Sequence, residues 1–371
     1  MRTILFILQK EFIQIFRDKT MLPMIILVPI IQMLILVNAA TFELKNISMV
    51  VVNQDMSATS RGLISGFEGS RFFNVEYEFT VEKAHESLLD NTADVILIIP
   101  ANFERDLIRE KSTSVQVLIN AIDGMAAGLI NVYTGNIIND FRQDLLVQWM
   151  NIKTRASVMP VEISHQFWYN PNLTYSIYML PGILVILVTI IGMFLTAINI
   201  VREKENGTIE QINVTPIVKY QFIIGKLIPF LIIALFELAF GLLIGKLFFG
   251  LPMLGSLWVL FLVAFVFLLV ALGLGLLLSA ISSTQQQVMF TIFFFLLMFI
   301  LMSGIFTPVE SMPDWAQKLN IINPFKYFMR AMRMILLKGS GIKDILNELV
   351  SLSIYAFIAL SFAVWRYRKT V

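Results

Sequence analysis

Apolar residues in this chain come in blocks of membrane-crossing length, separated by short polar connectors and one long polar stretch. Residues 3–19 have helical spacing, with Leu5, Leu8, Phe12, Ile15 and Phe16 on one face and Lys10, Gln14 and Arg17 on the opposite one. That spacing predicts an amphipathic helix, lying at a membrane surface or extending the segment that follows. Met21–Val37 is the first apolar block. Met179–Val201, Phe222–Phe249, Leu257–Leu278, Val288–Phe306 and Leu349–Trp365 are five more. Each approaches the ~20 residues needed to cross a hydrocarbon core. The pattern predicts a membrane all-α bundle of six transmembrane helices. Val37-Asn38-Ala39 also resembles a signal-peptide cleavage site. The segment ahead of it is too long for a signal peptide's charged start, however, and further spans follow.

Between the first two spans, residues 41–172 read as an inserted extracytoplasmic α/β domain. Ile47–Asn53, Phe72–Phe79, Asp94–Ile99 and Val115–Asn120 have strand patterns, and Val81–Leu89, Asn102–Arg109 and Met125–Met150 read as helices. About 130 residues suffice for an independent core. The resulting division is an interfacial helix (1–20), a first span (21–40), the α/β domain (41–172) and a five-helix part (173–371). The last part holds a charged connector (202–220) and a proline-broken segment (307–341).

Composition agrees with a membrane protein. The chain is 57% hydrophobic and 15% charged, against about 45–50% and 25% in soluble domains. A net charge of +2 leaves no field directed at nucleic acid. No cysteine is present, which removes disulfide and thiolate chemistry, and His85 and His165 are too far apart in sequence for metal-ligand spacing. Basic residues near span ends set the orientation. Arg2, Lys10, Arg17 and Lys19, then Arg202, Lys204 and Lys219, then Arg366, Arg368 and Lys369 all fall on one side when the span count is even. Both termini are then cytoplasmic. Lys318, Lys326, Arg330, Arg333, Lys338 and Lys343 count against this assignment, but they lie in the broken segment before the last span.

The densest charge is Arg202-Glu203-Lys204-Glu205-Asn206-Gly207-Thr208-Ile209-Glu210-Gln211. A connector this short between two spans must lie in water at the membrane face, open to a soluble partner. Thr208 and Gln211 have capping-box spacing. Glu203, Glu205 and Glu210 offer acceptors to basic groups, and Ile209 and Ile212 suit an apolar notch. The rival reading is a solvated loop. The chain has no Walker A pattern and no hydrolase motif, so energy must come from another subunit or an ion gradient. Glu237 lies near the middle of the third span, with Gly241 and Gly245 following at i+4 and i+8. The small-residue spacing turns it toward a helix contact. One reading is a hydrogen bond to a neighbouring helix, at Gln32 or Asn38, or a protonated acid; the other is a counter-charge for a cationic substrate. Pro308, Pro313 and Pro324 break the 307–341 segment, which is therefore a re-entrant hairpin enclosed by protein or an interfacial helix. Trp315, Phe325, Tyr327 and Phe328 suit an interface under either reading.

Arg202-Glu203-Lys204-Glu205-Asn206-Gly207-Thr208-Ile209-Glu210, followed by Thr215-Pro216, resembles the signature of ABC transporter permeases of the type-2 exporter family. Asn323-Pro324-Phe325-Lys326-Tyr327, leading to Arg330 and Arg333, resembles that family's segment before the last span. Val50-Val51-Val52-Asn53-Gln54-Asp55 with Ser57 and Ser60, Ile98-Ile99-Pro100-Ala101-Asn102-Phe103, and Asn170-Pro171 resemble the subgroup with a large extracytoplasmic domain after the first span. The resemblance covers nearly the whole chain. It implies a half-transporter of a bacterial inner membrane that pairs with a second permease, identical or paralogous. On that resemblance two copies of a separate ABC ATPase subunit would bind and hydrolyse ATP, and this chain itself would bind no cofactor. Arg202, Glu203, Glu205, Gly207, Thr208 and Glu210 would form the ATPase-coupling helix. Asn323, Pro324, Tyr327 and Arg330 would belong to an exit gate. Membrane lipid and a periplasmic adaptor are further partners on this reading; nucleic acid is not.

The leading expectation is thus the permease subunit of an ATP-driven exporter of amphiphilic or hydrophobic compounds. A membrane-anchored receptor or scaffold is the alternative, but six spans exceed what anchoring requires. A secondary transporter ranks last, because no repeat of spans is visible.

Overall fold

The computed structural model describes residues 2–19, 21–39, 46–149, 168–170, 174–213 and 217–366. Of these, 46–149 form one compact unit and the others form a second. The chain opens with α1 (Arg2–Arg17) and α2 (Met21–Ala39), which meet at a bend of 85°. α1 buries Ile15 and half-buries Leu8 and Phe12 of the face its apolar spacing predicts, but the packed line is shifted. Glu11 and Ile15 are buried and Ile7 lies over Gly225, whereas Leu5 and Phe16 remain exposed. The i, i+4, i+8 line Ile7-Glu11-Ile15 thus puts a carboxylate on the packed face.

The first compact unit runs β1 (Ile47–Asn53), α3 (Ala58–Glu68), β2 (Phe73–Tyr77), α4 (Val81–Leu89), β3 (Val95–Ile99), α5 (Phe103–Glu110), β4 (Gln116–Ile119) and α6 (Gly124–Trp149). Strand order is β2-β1-β3-β4, with β1 parallel to β2 and β3, and β4 antiparallel to β3. Alternation along β1 sends Ile47, Met49 and Val51 to a core shared with Leu63, Ile64 and Phe67 of α3 and Ile130 of α6. Val50 and Val52 face the other way, toward Ala84 of α4. Both faces of the sheet are covered, which explains the unbroken apolar run of β3. The strand and helix patterns read from sequence match these elements within a few residues, but α3 was not among them. Ser57 starts α3 by accepting from the Ser60 N–H.

The second unit continues with α7 (Tyr175–Thr189), a π-helical turn (Ile190–Leu195) and α8 (Thr196–Glu205), which together form one apolar helix. α9 (Thr208–Asn213), α10 (Lys219–Phe249), α11 (Leu257–Ile281), α12 (Gln285–Met302), α13 (Asp314–Leu319), α14 (Pro324–Lys338) and α15 (Leu346–Arg366) follow. Among the described residues, five helices are long and apolar enough to cross a membrane: α7–α8, α10, α11, α12 and α15. The bent α1–α2 pair makes a sixth when counted as one span. α7 is enclosed from Met179 to Thr189. α12 and α15, by contrast, expose Phe290, Phe293 and Phe357, as suits a hydrocarbon surround. The π turn is fitted to α11: a Cβ added to Gly275 would stand 2.6 Å from the Met193 carbonyl oxygen, so only glycine admits this approach.

Pro324 opens α14 at a position where its missing N–H costs nothing. Phe325 and Phe328 pack on the Phe267 ring, ten residues into α11 and so about 15 Å along it. The start of α14 therefore sits inside the helix bundle.

Candidate functional site

Four consecutive charged residues close α8, and each holds a different element. Arg202 forms an ion pair with Asp18, in the turn between α1 and α2. Glu203 reaches α1 and α10. The Lys204 ammonium donates to the carbonyls of Ser279 and Ser282 at the end of α11, the latter at 3.2 Å. Glu205 accepts from the Gln285 backbone N–H at 2.7 Å and from its side-chain amide, at the start of α12. The two signs match the two helix ends: a cation at the carbonyl-rich C-terminus of α11 and an anion at the N–H-rich N-terminus of α12. One dipeptide thus caps both helices of a hairpin.

Glu203 sits in a buried polar cluster. The Lys226 ammonium of α10 lies 2.8 Å from Glu11 Oε1, 2.8 Å from Glu203 Oε1 and 2.8 Å from Asn199 Oδ1. Lys226 is 1% exposed, Glu11 0% and Glu203 3%, so this network is shielded from water. Lys10, at the rim, pairs with both carboxylates. Two carboxylates and two ammonium groups balance in charge, the condition under which buried ions persist. One oxygen of each carboxylate has no partner among the described residues.

This geometry corrects part of the expectation for the connector. Glu203 does not present its carboxylate to a basic group on a partner; it binds α1 and α10 within the chain. The Thr208 hydroxyl donates to the Glu203 carbonyl at 3.2 Å, and Thr208 is the first residue of α9 rather than the N-cap position of the expected capping box. Ile209 packs partly against the chain's own core. Gly207, at φ +68°, supplies the left-handed residue that turns α8 into α9. The side chains of Glu210 and Ile212, and all of Thr215 and Pro216, lie outside the described residues. Glu205, Asn206 and Gln211 are exposed and face outward from the turn.

Glu237 is 1% exposed, and neither of its carboxyl oxygens has a hydrogen-bond partner among the described residues. The helix contact expected from its glycines is present. A Cβ at Gly241 would meet Leu184 Cδ2 at 2.5 Å, and one at Gly245 would meet Leu180 at 2.9 Å. The expected bond to Gln32 is not formed, and the Asn38 side chain lies outside the described residues.

The segment before the last span gathers at the other end of the bundle. Asn323 caps α14 by accepting from the Phe325 N–H at 3.0 Å, and its amide donates to the Phe299 carbonyl at 2.9 Å. The Tyr327 hydroxyl donates to the Ile321 carbonyl at 3.2 Å, and Arg330 lies 3.4 Å from Glu348. Arg333 stacks 3.9 Å over the Tyr178 ring of α7 and donates to the Gly304 carbonyl at 2.9 Å. It ties α14 to α7 and to the end of α12. Asn170, ahead of α7, accepts from the Thr174 N–H at 3.1 Å; Pro171 is outside the described residues.

Asp18, Glu11 and Lys226 are not singled out by the sequence reading, and Arg333 enters it only as part of the segment before the last span. The one signal in the sequence is at Lys226, an ion within an apolar run, where an ionisable group demands a partner.

Comparison with known proteins follows the same lines. The description of ABC-2 family transporter proteins matches residues 19–365. The probable multidrug ABC transporter permease YbhR of Escherichia coli K12 is 30% identical over 366 residues, 98% of each chain. The probable multidrug ABC transporter permease YbhS of the same organism is 24% identical over 89% of this chain and 87% of its own. The inner membrane transport permease YhhJ, also from that strain, is 24% identical over 98% of this chain and 96% of its own.

Proposed function

The chain belongs to the ABC-2 family of transporter proteins and is similar throughout to membrane permease subunits of ABC transporters; from that premise we propose that it is the permease half of an ATP-driven exporter of amphiphilic or hydrophobic compounds. Two copies, or this chain and a paralogue, pair in a bacterial inner membrane, and a separate ATPase subunit docks on each. The turn at 205–211 is the docking element. Both termini are cytoplasmic, and residues 41–172 lie on the far side.

The observation that carries this reading is the grip of Arg202–Glu205 on four elements at once. A displacement applied at α9 reaches α1, α10, α11 and α12 through bonds rather than through loose packing. The π turn in the α7–α8 span then supplies a break in helical regularity between the gripped end and the half that meets Arg333. Asn323, Pro324, Tyr327 and Arg330 belong to a re-entrant gate, a role supported by the depth to which α14 enters the bundle.

The test is reconstitution in nanodiscs with an ABC ATPase subunit from the same cell. The complex is expected to hold together and to hydrolyse ATP faster than the ATPase alone. Glu210→Arg is expected to keep the permease folded and abolish the stimulation. A wild-type chain that retains no ATPase subunit would overturn the reading. A Glu210→Arg variant with full binding and stimulation would remove Glu210 from docking.

A further inference from the structure

The sheet-containing unit holds a cavity of about 360 Å³ between α3, α5 and α6. Its floor is apolar core: Leu63 is 1% exposed and Phe103 3%, with Leu107, Ile138, Phe141 and Leu145 forming the walls. Its mouth has a different chemistry. Lys111 and Arg142 stand there, with the hydroxyls of Ser112 and Thr113 between α5 and β4. Neither cation is paired with an acid among the described residues, and the sequence-adjacent acids Glu110 and Asp144 do not line the cavity. Lys111 holds a left-handed backbone, φ +54°, at the end of α5. An apolar pocket of this size with a few convergent polar groups is the usual form of a small-molecule site. Two cations at its rim select the charge of what enters.

We propose that this cavity binds an amphiphile with an anionic head, the head held by Lys111 and Arg142 and the apolar body against Phe103, Leu107 and Phe141. The inference rests on the cavity alone and is independent of the direction of transport. The shared ligand chemistry is a carboxylate, sulfate or phosphate on a hydrocarbon or aryl body.

The absence of cysteine makes the test direct. Ser114→Cys, next to the rim but outside the lining, carries an environment-sensitive fluorophore on the full chain in nanodiscs. Decanoate, decanol and decyltrimethylammonium are titrated in parallel. Decanoate is expected to give a saturable response at concentrations where the other two give only a shallow linear rise from partition into lipid. Lys111→Asn with Arg142→Gln is expected to weaken decanoate by at least about tenfold, the loss from removing the charged hydrogen bonds of both rim cations. Asparagine tolerates the left-handed backbone and both residues are exposed, so the fold is retained. Leu107→Trp, which fills the cavity, is expected to abolish saturation without altering the rim. An equal response to the cationic or neutral probe, or undiminished decanoate binding in both variants, would overturn the proposal.

Discussion

Lys226→Met removes the central cation of the buried cluster while keeping the volume of the side chain. In the wild-type chain its ammonium lies 2.8 Å from both Glu11 and Glu203, with all three groups shielded from water. Deleting one partner of a buried pair leaves an uncompensated charge and costs about 3–5 kcal/mol. Lys10 remains on both carboxylates, but at 47% exposure it is a weaker and more mobile partner, so the lower end of that range applies. About 3 kcal/mol corresponds to a fall of roughly 6–12 °C in the unfolding temperature of a unit this large. Adding Glu11→Gln removes one of the orphaned negative charges. The double variant is therefore expected to recover part of the loss, a non-additivity that residues in one network show. The assay is thermal unfolding of the nanodisc-reconstituted chain, followed by tryptophan fluorescence. A single variant within about 2 °C of wild type, or a double variant equal to the sum of the two singles, would refute the claim that these ions act as one network.

Three further perturbations separate contacts that look alike. Gly275→Ala drives a methyl group into the Met193 backbone at 2.6 Å, whereas Gly241→Ala meets only side-chain ends, Leu184 Cδ2 and Met33 Sδ. The first is expected to abolish monodisperse protein on size exclusion, and the second to cost less than about 3 kcal/mol of overpacking. Arg333→Gln breaks a stack and a carbonyl bond inside the bundle and is expected to lower thermal stability, while Arg330→Gln, on a 66% exposed side chain, is expected to change it by less than about 1 kcal/mol; equal effects would contradict the assigned burial. Glu237→Gln is expected to keep both stability and transport of cationic amphiphiles, because the carboxyl is enclosed by helix contacts. A tenfold or larger loss of transport in a stable variant would assign it a counter-charge role instead.

The parts of the fold legible in the sequence are those governed by local period. The apolar blocks mark the long helices, and alternation marks β1, with β3 readable because both faces of the sheet are covered. Even the broken segment before the last span announces itself through Pro308, Pro313 and Pro324. α3 escaped because its apolar residues Leu63, Ile64 and Phe67 are few and interrupted by Gly62 and Gly66. The face of α1 is only partly legible, for a physical reason. A carboxylate at position 11 reads as polar and outward, but it is drawn inward by Lys226, 215 residues away in sequence. The same reasoning applies to the connector. Its charges mark it as a polar turn, but only the folded chain reveals that Arg202, Glu203, Lys204 and Glu205 reach four separate elements, since those partners lie between 23 and 193 residues away. The π turn has no periodicity signal of its own and is recognised by its fit to Gly275.

The central claim is that a soluble motor grips the turn after α8. A photo-cross-linking amino acid at Gln211, exposed on that turn, reports it most directly in membranes that contain the ATPase subunit. Illumination is expected to join the two chains, with a yield that changes between nucleotide-free and ATP-bound states. A cross-link that never forms, while the same probe at an exposed position on α12 reports lipid as it should, would contradict the account.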